Sequence, residues 1–345
     1  MDHIRFLVLL LTERCNLYCK YCYLNGGEGK KDMTFEVAAE ALDLFASSEG
    51  KTLTVELAGG EPTLMFGLIE RIIAYVEEKR YKIRFAIQTN ATLLDEEKIK
   101  FLSAKRIGLG ISLDGIPKIN DIMRGGSRKV VSSLHLLGRL GIGTNITVVL
   151  TKDNVEHLAE FILFCGSFNS VRVINLDLIR PTGRAKEKDL IPSEKSLSRG
   201  IGDMLTALDF INSRRILPIK IREVEQMFKR KEDCEIPPYC FAATGKAAVI
   251  TPEGDIYPCS SLINERFKAG NILSPDLEEL RFYGPDGGRF SGCADCDMKS
   301  ICRGGCPSRR FAFYGNFNKK CELECLLRKE ILHYEKDSLL FSHSH

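Results

Sequence analysis

Six short apolar runs recur along the first two thirds of the chain, and each is followed by an amphipathic stretch of helical period. The runs cover 5–11, 52–57, 83–89, 107–113, 145–150 and 171–178, and helical patterns cover 35–45, 68–78, 95–104, 130–140 and 155–164, with a further helix over 196–212. Strands that are apolar on both faces and joined by helices pack in a parallel sheet covered on both sides. Six such units are two short of a closed eight-fold ring. The spacing therefore predicts an α/β fold, an open and partial (β/α)6 barrel of the TIM type. In parallel barrels the chemistry sits at the C-terminal ends of the strands.

The alternation stops near Arg230, where Gly and Pro become frequent and nine of the 13 cysteines follow. A region so rich in loops buries little core of its own, and metal clusters are a substitute for it. The expected organisation is a barrel over 1–230, a cysteine-rich unit over 231–330, and a helix end and tail over 331–345. The 49 basic and 46 acidic residues leave a net charge of +3, so charge gives no reason to invoke nucleic acid or a membrane surface. The apolar run 6–11 is too short for a signal segment or a membrane span. A cytoplasmic location is expected, where reduced thiols in clusters serve as metal or catalytic ligands rather than disulfides.

The first strand runs into Cys15-Asn-Leu-Tyr-Cys19-Lys-Tyr21-Cys22. Three thiolates on one tight loop can hold three irons of a cubane and leave the fourth iron open; the alternative is a zinc site completed by a distant residue. Ala58-Gly59-Gly60-Glu61-Pro62 ends the second strand, and its glycines allow close backbone approach to a ligand or a plain turn. Gln88-Thr89-Asn90 ends the third, Ser112-Leu-Asp114-Gly115 the fourth, and Arg124 follows shortly after. Asn90 reads either as a ligand contact or as the cap of the next helix. Asp114 reads as a contact or as a turn residue. Leu176 and Leu178 read as core. So does Cys165, a small hydrophobe in an apolar helix. His3, His135, His157, His333, His343 and His345 show no ligand spacing. The late cysteines run Cys234-x5-Cys240-x13-Gly254-x4-Cys259, then Cys293-x2-Cys296-x5-Cys302-x3-Cys306, then Cys321 and Cys325. Their spacing alone does not separate zinc from iron–sulfur clusters.

C-x3-C-x2-C with Tyr21 before its last cysteine resembles the signature of the radical S-adenosylmethionine superfamily. The resemblance implies that Cys15, Cys19 and Cys22 hold a [4Fe–4S] cluster. The cofactor's amino and carboxylate groups would chelate the open iron, and one electron would split a carbon–sulfur bond to give a 5′-deoxyadenosyl radical. Gly59, Gly60, Glu61 and Pro62 match the motif that binds the methionine amino group. Ser112, Asp114 and Arg124 are similar to a segment that reaches the ribose or carboxylate, and Tyr21 and Asn90 join the same set. An arginine fork suits a carboxylate.

The late run resembles the SPASM extension of that superfamily, which carries two auxiliary [4Fe–4S] clusters, so three clusters and S-adenosylmethionine are the implied cofactors. Carried over, the first auxiliary set is Cys234, Cys240, Cys259 and Cys306. The second is Cys293, Cys296, Cys302 and Cys325, with Cys321 spare. The branch includes enzymes that cross-link ribosomal peptides, sulfatase-maturating enzymes that make formylglycine, and makers of peptide-derived cofactors. The maturating enzymes place an aspartate base directly after the cysteine matching Cys259, where this chain has Ser260, a poor base near neutral pH. The resemblance therefore implies hydrogen abstraction from a peptide or protein side chain, with a low-potential donor such as ferredoxin or flavodoxin. The alternatives are sulfatase maturation, a small-molecule or cofactor-biosynthetic substrate, and a non-catalytic zinc-binding or electron-relay protein. The first strand begins by about residue 5, so no leader-binding winged-helix domain is expected ahead of the barrel. The sequence names no catalytic residue beyond these sets.

Anaerobic reconstitution followed by metal analysis separates the two cysteine readings. Three cubanes give about twelve irons per chain, whereas about four irons and two zincs would identify the late cysteines as zinc ribbons.

Overall fold

The computed structural model describes residues 4–27, 31–46, 52–186, 189–232, 239–281, 293, 296–302 and 304–342. Cys234, His3, His343 and His345 lie outside the described residues. The first half alternates as expected: β1 (Phe6–Leu10), α1 (Phe35–Phe45), β2 (Leu53–Ala58), α2 (Phe66–Lys79), β3 (Ile83–Thr89), α3 (Glu96–Ala104) and β4 (Gly108–Ser112). Then come α4 (Pro117–Met123), α5 (Ser127–Arg139), β5 (Thr144–Leu150), α6 (Leu158–Gly166), β6 (Val171–Leu178) and α7 (Glu194–Asn212). The last part adds β7 (Lys220–Ile221), α8 (Arg222–Glu232), β8 (Ala247–Ile250), β9 (Ile256–Tyr257), α9 (Pro307–Tyr314) and α10 (Glu322–Ser342).

Residue pattern explains the strands. In β2, Leu53, Val55 and Leu57 are buried against the helices, while Thr54, Glu56 and Ala58 face the other way, the period of two that a strand imposes. β1 has no polar face: Leu7 and Leu9 join the main core, and Val8 and Leu10 pack on the lumen side with Val249 and Tyr257. The helices start where short polar side chains cap them, Thr34 on Val37 N–H, Asp95 on Lys98 N–H and Ser193 on Ser196 N–H, which satisfies donors the helix cannot.

The sheet has nine strands in the order β7-β6-β5-β4-β3-β2-β1-β8-β9. Neighbours from β7 to β8 run parallel, and β8–β9 is antiparallel. The partial parallel barrel expected from the sequence is thus present, but six strands undercount it. β8 lies in the cysteine-rich part and pairs Phe6↔Ala247 through Leu9↔Ile250. Its Ala248 and Ile250 belong to the main core, so this region shares the barrel's core rather than lacking one. α4 was not foreseen, and the helix expected over 155–164 opens as a tight turn, Val155–His157, before α6. Leu176, Leu178 and Cys165 are core, as read from the sequence. Among the described residues no helix is long and apolar enough to cross a membrane.

α7 reaches the tight turn before α6 through Gly200, where an added Cβ would stand 1.9 Å from the Val155 carbonyl oxygen. Gly200→Ala is expected to cost about 1–3 kcal/mol of stability through overpacking, read as a lower midpoint in urea unfolding.

Candidate active site

The loop after β1 is held from two sides. Lys20 N–H donates to the Met123 carbonyl at 2.9 Å, which ties the loop to the end of α4. From the segment after β6, Arg184 N–H donates to the Cys22 carbonyl at 3.0 Å, and its guanidinium donates to the Cys19 and Gly26 carbonyls at 2.9 and 3.1 Å. Gly183 (φ +54°) allows this approach, because a Cβ there would meet the Cys22 carbonyl at 2.3 Å. The result gathers Cys15, Cys19 and Cys22 on one wall of a cavity of about 300 Å³ at the C-terminal ends of the strands. Backbone amides already aim at two of the sulfurs, Leu17 N–H at Cys15 Sγ (3.4 Å) and Gly26 N–H at Cys22 Sγ (3.3 Å).

Burial raises the thiol of Cys15, and burial pushes Cys19 up to about 11. These groups are protonated without a metal, so binding one would release protons. Among the described residues no group of three or more His, Cys, Asp or Glu side chains is drawn together tightly enough to hold a single ion. The wall itself fits an iron–sulfur cluster: it carries three thiols and amides directed at sulfur, and Gly59 and Gly60 let the end of β2 pack directly on the backbone of the loop after β1. A Cβ on Gly60 would stand 2.1 Å from the Arg14 carbonyl oxygen.

Of the residues expected to touch a cofactor, Tyr21, Gly59, Gly60, Asn90, Ser112 and Arg124 line this cavity. Glu61, Pro62 and Asp114 stand behind its wall. The fully buried Glu61 carboxylate accepts from Thr63 N–H (3.0 Å), Thr89 Oγ1 (2.6 Å) and Asn90 N–H (2.7 Å), and from the Thr63 hydroxyl. It fixes the backbone that presents Asn90. Asn90 does not cap α3, which Asp95 does; its side chain accepts from Thr92 and donates to Asn16 Oδ1 at 2.9 Å. Asp114 is buried beneath Tyr21, whose hydroxyl donates to it, and takes Val149 N–H at 2.9 Å. Arg124 Nη1 donates to the same Tyr21 oxygen at 2.5 Å and lies 3.6 Å from Asp114. Burial raises the Asp114 carboxyl although Arg124 opposes it. Arg124 Nε is buried with no hydrogen-bond partner, a donor left for an acceptor in the cavity.

Sequence reasoning missed Glu56, Asp177, Arg180 and Arg184 on this wall. Glu56 had a legible signal, a charged residue at an inward position of a parallel strand. Arg180 and Arg184 lie in a connecting segment without periodicity.

Asp177 and Arg180 carry the wall into the cysteine-rich part. Arg180 donates to Asp177 at 2.8 and 3.0 Å and toward Cys306 Sγ at 3.7 Å. Arg309, on α9, donates to Asp177 at 2.8 Å and pairs with Glu324 on α10 at 3.0 Å. Burial raises the Cys306 thiol, but Arg180 and Arg309 outweigh it and leave the thiol lowered. Burial pushes the Cys240 thiol up to about 12, and the charges of Cys306 and Cys259 act in the same direction. Separately, Cys293, Cys296, Cys302 and Cys325 line a cavity of about 30 Å³, with Gly304 N–H 3.3 Å and Arg328 3.6 Å from Cys302 Sγ. Cys321 is packed in the main core instead.

Residues 9–165 match the family model of the Radical SAM superfamily. An uncharacterized protein of Methanocaldococcus jannaschii, MJ0907, is 34% identical over 273 residues, 76% of this chain and 87% of its own. A cysteine-type anaerobic sulfatase-maturating enzyme of Clostridium novyi is 25% identical, covering 89% and 88% of the two chains. Mycofactocin maturase MftC of Mycolicibacterium smegmatis is 28% identical, covering 87% and 77%. Among solved structures, anSMEcpe with bound AdoMet and Cp18Cys peptide superposes with a TM-score of 0.81 at 21% identity over 99% of each chain. SuiB of Streptococcus suis bound to precursor peptide SuiA superposes at 0.68 and 22% identity, covering 94% and 76%. Both structures share the fold.

The Glu61 contacts set an expected cost. Glu61→Ala strands buried donors and should lower stability by about 3 kcal/mol, seen as a reduced midpoint in chemical unfolding.

Proposed function

The chain belongs to the radical S-adenosylmethionine superfamily, whose members are enzymes that use S-adenosylmethionine and iron–sulfur clusters; on that premise we propose that it abstracts hydrogen from a peptide or protein side chain. The observation that carries the reading is the shared wall on which Cys15, Cys19, Cys22 and Arg124 meet one cavity. Cys15, Cys19 and Cys22 would hold the cluster. Its chemistry, when bound with the cofactor, is one-electron cleavage of the sulfonium to a hydrogen-abstracting radical. Arg124, aligned by Tyr21 and Asp114, would take the cofactor carboxylate through its free Nε–H, and backbone at Gly59 and Gly60 would take the amino group. Asn90 and Ser112 complete that side of the cavity.

Cys240, Cys259, Cys306 and Cys234 would hold a first auxiliary cluster. Cys293, Cys296, Cys302 and Cys325 would hold a second, a choice over Cys321 supported by the cavity that Cys325 lines. The peptides bound to anSMEcpe and SuiB support a peptide substrate. Ser260, in place of the expected aspartate, argues against formylglycine chemistry despite the sulfatase-maturating relatives. A ferredoxin or flavodoxin would deliver the electron.

Replacing Cys15, Cys19 and Cys22 together by alanine is expected to abolish 5′-deoxyadenosine formation under dithionite while iron bound by the late cysteines remains. Continued cleavage of S-adenosylmethionine by that variant would refute the assignment.

A further inference from the structure

Glu56 is an unusual occupant of a barrel lumen. It lies on β2 opposite Val8 on one side and Ala86 on the other, and it lines the cavity beside Tyr23, Leu24 and Ala58. The neutral polar groups of the lumen satisfy one another: Gln88 donates to Ser112 at 2.9 Å, and Asn175 to Thr147 at 3.2 Å. Every other ionised side chain on the described wall is paired, Asp177 with Arg180, Arg124 with Asp114, and Arg184 with two carbonyls. Glu56 alone among these makes no hydrogen bond or ion pair. Glu56 is half-buried, and a lumen carboxylate that no neighbour holds is free to meet a group entering the cavity.

Glu56 shares one cavity wall with Tyr23 and with Cys15, Cys19 and Cys22, while the loop after Cys259 carries Ser260 instead of a carboxylate. The charge acting on Glu56 is Arg222 from α8; the other charged and titratable groups of the same cavity include Tyr23 of the first loop, Arg124 after α4, and Asp177, Arg180 and Arg184 from the end of β6 and the segment after it.

We propose that Glu56 is the proton acceptor of the substrate step, taking the proton of a thiol or hydroxyl on the bound peptide. This rests on the peptide reading above. The step is a proton transfer: the S–H or O–H bond breaks heterolytically, an O–H bond forms on Glu56, and the negative charge passes to the substrate atom that will bond to the carbon stripped of its hydrogen. The electron then in surplus on the substrate requires a one-electron acceptor of the oxidised iron–sulfur class. Burial raises the Glu56 carboxyl, and Arg222 only partly offsets it, which moves a carboxylate toward the strength a base needs near neutral pH.

The test uses the reconstituted full-length protein with S-adenosylmethionine, dithionite and a set of synthetic peptides, each carrying one cysteine or one serine. In Glu56→Gln the yield of modified peptide per 5′-deoxyadenosine should fall about 100-fold, and Glu56→Asp should recover part of it. In the parent that yield should climb with pH as Glu56 loses its proton, and the glutamine variant should lack this limb. A glutamine variant that matches the parent in yield and pH profile overturns the proposal. If the parent modifies no peptide, the peptide reading fails separately and the infrared spectrum of the holoenzyme decides. A protonated-carboxyl band that fades as pH rises, and that is missing from Glu56→Gln but not from Glu223→Gln, supports Glu56 as a poised base. Absence of that difference overturns it. Folding is controlled by melting, because removing an unpaired lumen charge should leave Glu56→Gln at least as stable as the parent.

Discussion

β1 is paired along both edges, with β2 on one side and β8 on the other. With its backbone groups committed and its side chains buried on both faces, this strand has no freedom to slide. A one-residue slip would exchange its two apolar clusters and break both ladders. The chain must therefore leave the sheet at one fixed place, and Cys15, Cys19 and Cys22 follow within a few residues. The position of the site is inherited from this strand.

A second constraint joins the barrel to the cysteine-rich part. Asp177 at the end of β6 meets both Arg180 and Arg309, and Arg309 continues to Glu324. Burial works against the ionised Glu324, but Arg309 and Arg328 hold its carboxyl down at about 2. Glu324 also accepts the Cys306 N–H at 3.0 and 3.1 Å. Such a buried network specifies one arrangement because breaking one pair leaves an uncompensated charge. The proposed ligands Cys306, at the start of α9, and Cys325, on α10, thus belong to elements locked to the wall of the radical site.

Much of this was legible in the sequence. Hydrophobic period gave the six main strands: burial on both faces leaves an unbroken apolar run in β1, and burial on one face leaves the alternation of β2. Local spacing gave the loop of Cys15, Cys19 and Cys22 and the glycines beside it. Long-range matters were less legible. Nothing in 247–250 announces that it will pair with residues near the N-terminus, since a four-residue apolar run fits many neighbours. Glu61 and Asp114 looked like ligand contacts, yet the structure sets them behind the wall, supporting Asn90 and Tyr21. Sequence spacing marks which residues a site needs but not which side chain faces the void.

The late return of β8 to β1 also bears on how the chain comes into being. Phe6–Leu10 emerges from the ribosome early, but its second edge is closed only when Ala247–Ile250 has been made. Until then the backbone N–H and C=O groups along that edge of a strand with apolar side chains are open to any other chain in an extended conformation. A polypeptide released before residue 247 would thus be sticky rather than merely inactive.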